Sequence, residues 1–127
     1  MKLFLFIAAI LTLAFTPTAT ASRGGGGTRT RLEVRMESPT SQASGTAKFE
    51  QRGSRMKFSV EVEDVNGTDV VITAGGQSFD LHLDGSGFGD LNRDTRNGQS
   101  VPSLKEGDEV VVWLGGQVLM RGNLERD

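Results

Sequence analysis

Two runs that alternate apolar and polar residues, Ala47-Lys48-Phe49-Glu50-Gln51-Arg52 and Arg55-Met56-Lys57-Phe58-Ser59-Val60, flank a break of two residues, Gly53-Ser54. A two-residue loop with glycine first suits a type II′ turn, whose twist matches that of paired strands. With that loop the register has no freedom. Phe49 falls opposite Phe58, Ala47 opposite Val60, and Glu50 opposite Lys57. Each such pair contributes about 0.2–1 kcal/mol, and a slip of one residue would send every side chain to the wrong face. The chain is thereby committed to an antiparallel hairpin with one apolar face, which a second layer must cover.

The same period of two runs through the rest of the chain. Leu32, Val34 and Met36 share one face, with Arg31, Glu33, Arg35 and Glu37 on the other. Val60 and Val62 point inward, Glu61 and Glu63 outward. Residues 66–77 and 106–117 form an internal repeat with an offset of 40: Asp69-Val70-Val71-Ile72 matches Glu109-Val110-Val111-Val112, and Gly75-Gly76-Gln77 matches Gly115-Gly116-Gln117. Each copy reads as a β-branched strand, a Gly-Gly turn and a return strand. Two copies are too few for a solenoid and predict two similar hairpins in one fold. Between them a short strand is expected around residues 88–95, then an Asn97-Gly98 turn, with Val101-Pro102 at a sheet edge or strand start. No stretch in this region has an amphipathic helical pattern. Seven to nine short strands at this spacing predict an all-β fold, an antiparallel two-sheet sandwich of the immunoglobulin-like or a related type.

The N-terminus predicts export. Lys2 precedes an apolar run over residues 3–15, Pro17 interrupts it, and Ala19-Thr20-Ala21 has the small-x-small form of a cleavage site. The run is shorter than the 18 or so residues of a membrane anchor. Residues 1–21 are therefore expected to be a secretory signal peptide, leaving a periplasmic or extracellular protein with no membrane attachment after cleavage. Residues 22–28 contain four consecutive glycines and are expected to be a flexible leader. A single domain is expected over residues 29–127, long enough to bury a core without disulfides, and there are no cysteines.

The formal net charge is −2, one unit more negative without Lys2. Residues 22–57 hold eight basic and three acidic groups, residues 58–127 five basic and thirteen acidic. A nucleic-acid-binding domain is basic as a whole, so that class is disfavoured, and interleaved strands are expected to pair the two halves.

The stretches Ala43-Ser44-Gly45-Thr46-Ala47-Lys48-Phe49-Glu50 and Met56-Lys57-Phe58-Ser59-Val60-Glu61-Val62-Glu63-Asp64-Val65 resemble small exported bacterial β-domains of uncharacterised function. Asp94-Thr95-Arg96-Asn97-Gly98-Gln99-Ser100-Val101-Pro102 and Glu106-Gly107-Asp108-Glu109-Val110 are similar to the same group. The resemblance implies fold and export; the matched residues are structural and imply no activity. The first stretch is also distantly similar to the chordin-type extracellular β-domain, whose His-x-His segment has no counterpart here.

Few residues are suited to chemistry. His82 is the only histidine. The first repeat hairpin sets Asp69 opposite His82, with Asp80 and Asp84 on the same face. One imidazole with carboxylates in reach is a divalent-metal candidate made of Asp80, His82 and Asp84; the plainer reading is a solvated strand face. Residues 84–95 depart from a calcium loop, with Phe88 at position five and Thr95 at position twelve, and read as a glycine-rich turn. No serine lies in Gly-x-Ser-x-Gly before a helix, and nothing implies a cofactor. The expectation is a non-enzymatic structural or binding module, with a small hydrolase as an alternative.

Trp113 carries the most information. In the second hairpin Val110, Val112, Leu114 and Leu119 are expected on one face, Val111, Trp113, Val118 and Met120 on the other. The corresponding face of the first hairpin, with Val71, Thr73, Ser78 and Asp80, is mostly polar. Two readings follow: a central hairpin covered on both sides, or an exposed apolar patch formed by Val111, Trp113, Val118 and Met120. Such patches mark contact sites, and tryptophan is enriched where binding energy concentrates. The expected occupants are a protein partner or a second copy of the chain, with a carbohydrate as the alternative.

Overall fold

The structure, a computed structural model, describes residues 29–127. The expected signal peptide (1–21) and leader (22–28) lie outside the described residues.

The described residues form nine strands: β1 (Arg29–Glu37), β2 (Ser44–Arg52), β3 (Arg55–Glu63), β4 (Asp69–Ala74), β5 (Gln77–His82), β6 (Gly89–Asp94), β7 (Glu109–Leu114), β8 (Gln117–Asn123) and β9 (Glu125–Arg126). They make two antiparallel sheets, one in the order β6-β3-β2-β1-β9 and the other β5-β4-β7-β8. The fold is the two-sheet sandwich the alternation predicts. The chain crosses between sheets after β3, β5, β6 and β8. In immunoglobulin lettering β3 and β6 hold the places of strands B and E, and β5-β4-β7-β8 those of C′-C-F-G; β1 and β9 extend the first sheet beyond β2.

The β2–β3 register places Phe49 opposite Phe58, Ala47 opposite Val60 and Glu50 opposite Lys57, as the two-residue loop requires. Gly53 alone of its pair has positive φ, at 61°, which is the type II′ pattern. Inward residues of both sheets meet in one apolar core that includes Phe49, Phe58, Val60, Ile72, Val112 and Leu124. Among the described residues no polar or charged side chain is buried. The two charge halves do interleave: Arg31 pairs with Asp127 at 3.5 Å and Arg55 with Asp94 at 2.7 Å.

Val101 and Pro102 depart from expectation. They belong to no strand. Both are buried in the irregular crossover from β6 to β7. A Cβ on Gly75 would lie 3.0 Å from Pro102 Cβ and 2.9 Å from Leu104 Cδ2, so this crossover plugs the end of the sandwich beneath the Gly75-Gly76 turn. A proline there removes no ladder hydrogen bond.

The start of that crossover is locked by Asp94. Arg55 donates to it through Nε (3.2 Å) and Nη2 (2.7 Å), and the Arg96 amide donates to Oδ1 at 2.9 Å. The Arg55 guanidinium first, then the Arg96 amide, hold the Asp94 carboxyl down at about 2. A depressed folded-state pKa stabilises the fold above the ordinary carboxylate value, and the contribution fades as pH falls through the folded one. Acid unfolding is thus expected to lose this contribution between about pH 4 and pH 2. Asp94→Asn should lower stability at neutral pH and flatten the profile in that window. A profile unchanged by the substitution would refute the assignment.

Candidate functional site

The two repeat hairpins, β4–β5 and β7–β8, lie side by side because β4 pairs with β7. Ile72 is opposite Val112, Val71 opposite Trp113, and Thr73 opposite Val111. Ile72 and Val112 are equivalent under the 40-residue offset, so a pseudo-two-fold axis passes between them and relates one hairpin to the other. Both Gly-Gly turns have two positive φ values, 57° and 77° at Gly75-Gly76, 60° and 80° at Gly115-Gly116. That is the type I′ geometry, and few residues other than glycine accept it twice in succession.

Outside the core this sheet presents rows of side chains across all four strands. One row is Asp80, Val71, Trp113 and Val118. The next is Ser78, Thr73, Val111 and Arg121. Asp69 and His82 pair beyond the first row, their Oδ1 and Nδ1 3.0 Å apart. Trp113 is half-buried. Its Nε1–H donates to Thr73 Oγ1 at 3.0 Å, and Thr73 is its own equivalent in the repeat. The indole is thereby fixed across the axis. Beside it an open depression of about 710 Å3 is lined by Asp69, Val71, Thr73, Asp80, Trp113 and the Gly115-Gly116 turn.

The four residues expected to form the apolar face divide. Trp113 and Val118 lie on it, Val118 being one of only two large exposed hydrophobics among the described residues. Val111 is on the outer face but buried there, outside the core cluster. Met120 is a correction: it faces the core and is 1% exposed. The cause is a β-bulge. Trp113 is opposite Val118, but Val112 is opposite Met120, which leaves Leu119 as the extra residue. Leu119, expected on the core face, is half-buried at the bulge and packs against the core cluster, as expected. Beyond it Gly122 turns inward opposite Val110, and Arg121 turns outward opposite Val111. Without the extra residue Arg121 would point into an apolar core, where an unpaired charge is very costly. Gly122 suits the inward place because β1 comes very close: a Cβ there would lie 2.5 Å from Val34 Cγ2.

The metal candidates are also divided by the structure. Asp69 is engaged on both oxygens, Oδ1 by His82 and Oδ2 by the Thr68 hydroxyl at 3.0 Å, which lowers its pKa, His82 contributing most. Asp84 is used by its own turn. Oδ1 accepts from the Ser86 amide (2.8 Å), the Ser86 hydroxyl (2.8 Å) and the Phe88 amide (3.0 Å). These donors, the Phe88 amide foremost, hold its pKa down. Asp80 lies toward Trp113 instead. Among the described residues no group of three or more histidines and carboxylates is arranged to hold a metal ion.

What sequence reasoning missed is that Asp69 and Asp80 belong with Trp113. The sequence sets them on two separate hairpin faces, and the β4–β7 pairing makes these one. Comparison with known protein families finds no family model that matches the chain, and no curated protein matches it either.

Proposed function

We propose that this protein is an exported, non-enzymatic binding module that engages a protein partner through the outer face of the β5-β4-β7-β8 sheet. The observation that carries the reading is the fixed indole of Trp113 beside an open depression. A volume of about 710 Å3 lies within the range of ligand sites, as does the lining of apolar surface with a few polar groups. The hydrogen bond to Thr73 sets the ring orientation before any partner arrives, so less freedom is lost on binding.

Four of the carboxylates support the non-enzymatic part. Asp69, Asp84, Asp94 and Asp108 are all shifted downward by hydrogen bonds within the fold. A general acid at neutral pH needs the opposite shift. The leader-like residues 1–21 support export.

The test is site-specific photo-crosslinking in the protein's own host. A benzophenone side chain replaces Val118 on the proposed face, or Lys48 on the outer face of the other sheet. Discrete adducts are expected from position 118 and none from position 48. Adducts from position 48 alone would overturn the reading.

A further inference from the structure

The chemistry of the occupant follows from which hydrogen-bonding groups the depression offers. Its two charged lining residues, Asp69 and Asp80, are both carboxylates, and no cation lines it. Ionised carboxylates only accept hydrogen bonds. The one strong side-chain donor, Trp113 Nε1–H, is committed to Thr73. The lining side chains thus offer acceptors beside the indole, with the Thr73 hydroxyl proton as the sole remaining donor among them. A sugar ring carries acceptors as well as donors, and most of its acceptors would find no side-chain partner here. An ammonium or guanidinium group carries donors alone. It is also the group that an indole face attracts most strongly through its quadrupole.

The two carboxylates differ in availability. Asp69 already has both oxygens engaged, by His82 and Thr68. Asp80 is exposed and belongs to none of the ion pairs among the described residues. It stands opposite Val71 and in one row with Trp113. The Gly115-Gly116 turn, also part of the lining, has no side chains, and a Cβ at either position would meet nothing within 4 Å. A chain can enter there unobstructed.

Resting on the binding-face reading above, we infer that the occupant is an extended basic segment of a partner protein, whose lysine or arginine lies over Trp113 and pairs with Asp80. The attraction combines an aromatic face with an unpaired carboxylate on a surface exposed to solvent, so it weakens as salt rises.

The experiment uses the fluorescence of Trp113, which is the sole tryptophan in a chain without tyrosine. The probe is a glycine-spaced pentapeptide amide bearing two arginines, compared with its citrulline counterpart, where a neutral urea replaces each guanidinium. Saturable change with the arginine peptide is expected, at least tenfold weaker with citrulline and weaker again at high salt. Asp80→Asn should weaken arginine-peptide binding at least fivefold. Asp80 is exposed and in no ion pair among the described residues, so this variant keeps the fold, which thermal melting checks. No saturable response to the arginine peptide, equal binding of the citrulline peptide, or an unchanged Asp80→Asn variant would each overturn the cationic assignment. Chitohexaose or cellohexaose is titrated in parallel. If one of them alone perturbs Trp113, the cationic assignment fails while the face stands as a binding site. The crosslinking pattern judges the face independently of either probe.

Discussion

Gly87→Ala is expected to destabilise the protein by at least about 3 kcal/mol. A non-glycine residue held in the left-handed region costs about 1–3 kcal/mol by itself, and Gly87 has φ 82°. Space adds to that cost. A Cβ at Gly87 would lie 2.2 Å from Val65 O and 2.8 Å from Val65 N. Both are backbone atoms, so the overlap cannot be relieved by rotating a side chain. Gly87 also joins two crossovers at one end of the sandwich. Its carbonyl accepts from the Val65 amide and its amide donates to the Asp84 carbonyl, each at 3.1 Å. Moving Gly87 away from Val65 would break the bond between the β3–β4 and β5–β6 connections. Gly85→Ala, two residues earlier, is the matched control. Gly85 has ordinary φ and open space around its Cβ position, so the change should stay within about 0.5 kcal/mol. Urea denaturation of both variants checks the pair. Equal midpoints would mean that the β5–β6 loop does not pack on Val65 as described.

Local order was legible from the chain; order at long range was not. The β2–β3 pairing could be written residue by residue because two residues connect the strands and their sides must match. The same holds for Asp69 opposite His82 across the Gly75-Gly76 turn. The β4–β7 pairing that assembles the candidate site joins strands far apart in the chain, and no turn dictates its register. A signal was nevertheless present. Two hairpins of like sequence can bury like faces by pairing their equivalent strands about a two-fold axis, and β4 and β7 are those strands. Taking the repeat as a symmetry element would have brought Asp69 and Asp80 to Trp113. Val101 and Pro102 show the opposite difficulty. Apolar residues beside a proline resemble an edge strand, and only the packing of Leu104 and Pro102 under Gly75 reveals a plug.

The bulge at Leu119 yields the second large effect. Met120→Ala is expected to cost about 2–5 kcal/mol, as deletion of a buried side chain does, because Met120 is 1% exposed. Val118→Ala should change stability by no more than about 0.5 kcal/mol, because Val118 is 38% exposed. In a hairpin without a bulge these two residues would share the outer face with Trp113, and their costs would be alike. The contrast between them therefore measures the register. The frame in which Met120 points inward was written in the chain beyond the bulge. Met120, Gly122 and Leu124 alternate with Arg121, Asn123 and Glu125, and this frame conflicts with the one that runs back from Leu119 through the Gly-Gly turn. Two conflicting frames in one strand require an extra residue between them. Leu119 and Met120 are both apolar and fit either frame; Arg121 decides between them, since only one places its charge in water. The bulge also keeps the candidate site small. With Met120 drawn into the core, the apolar surface beside Trp113 is left to Val118 and Val71, and the carboxylate of Asp80 closes the row. Denaturation midpoints that fell equally for Met120→Ala and Val118→Ala would return Met120 to the outer face, and the acceptor-lined depression would lose the geometry on which its specificity for a cation rests.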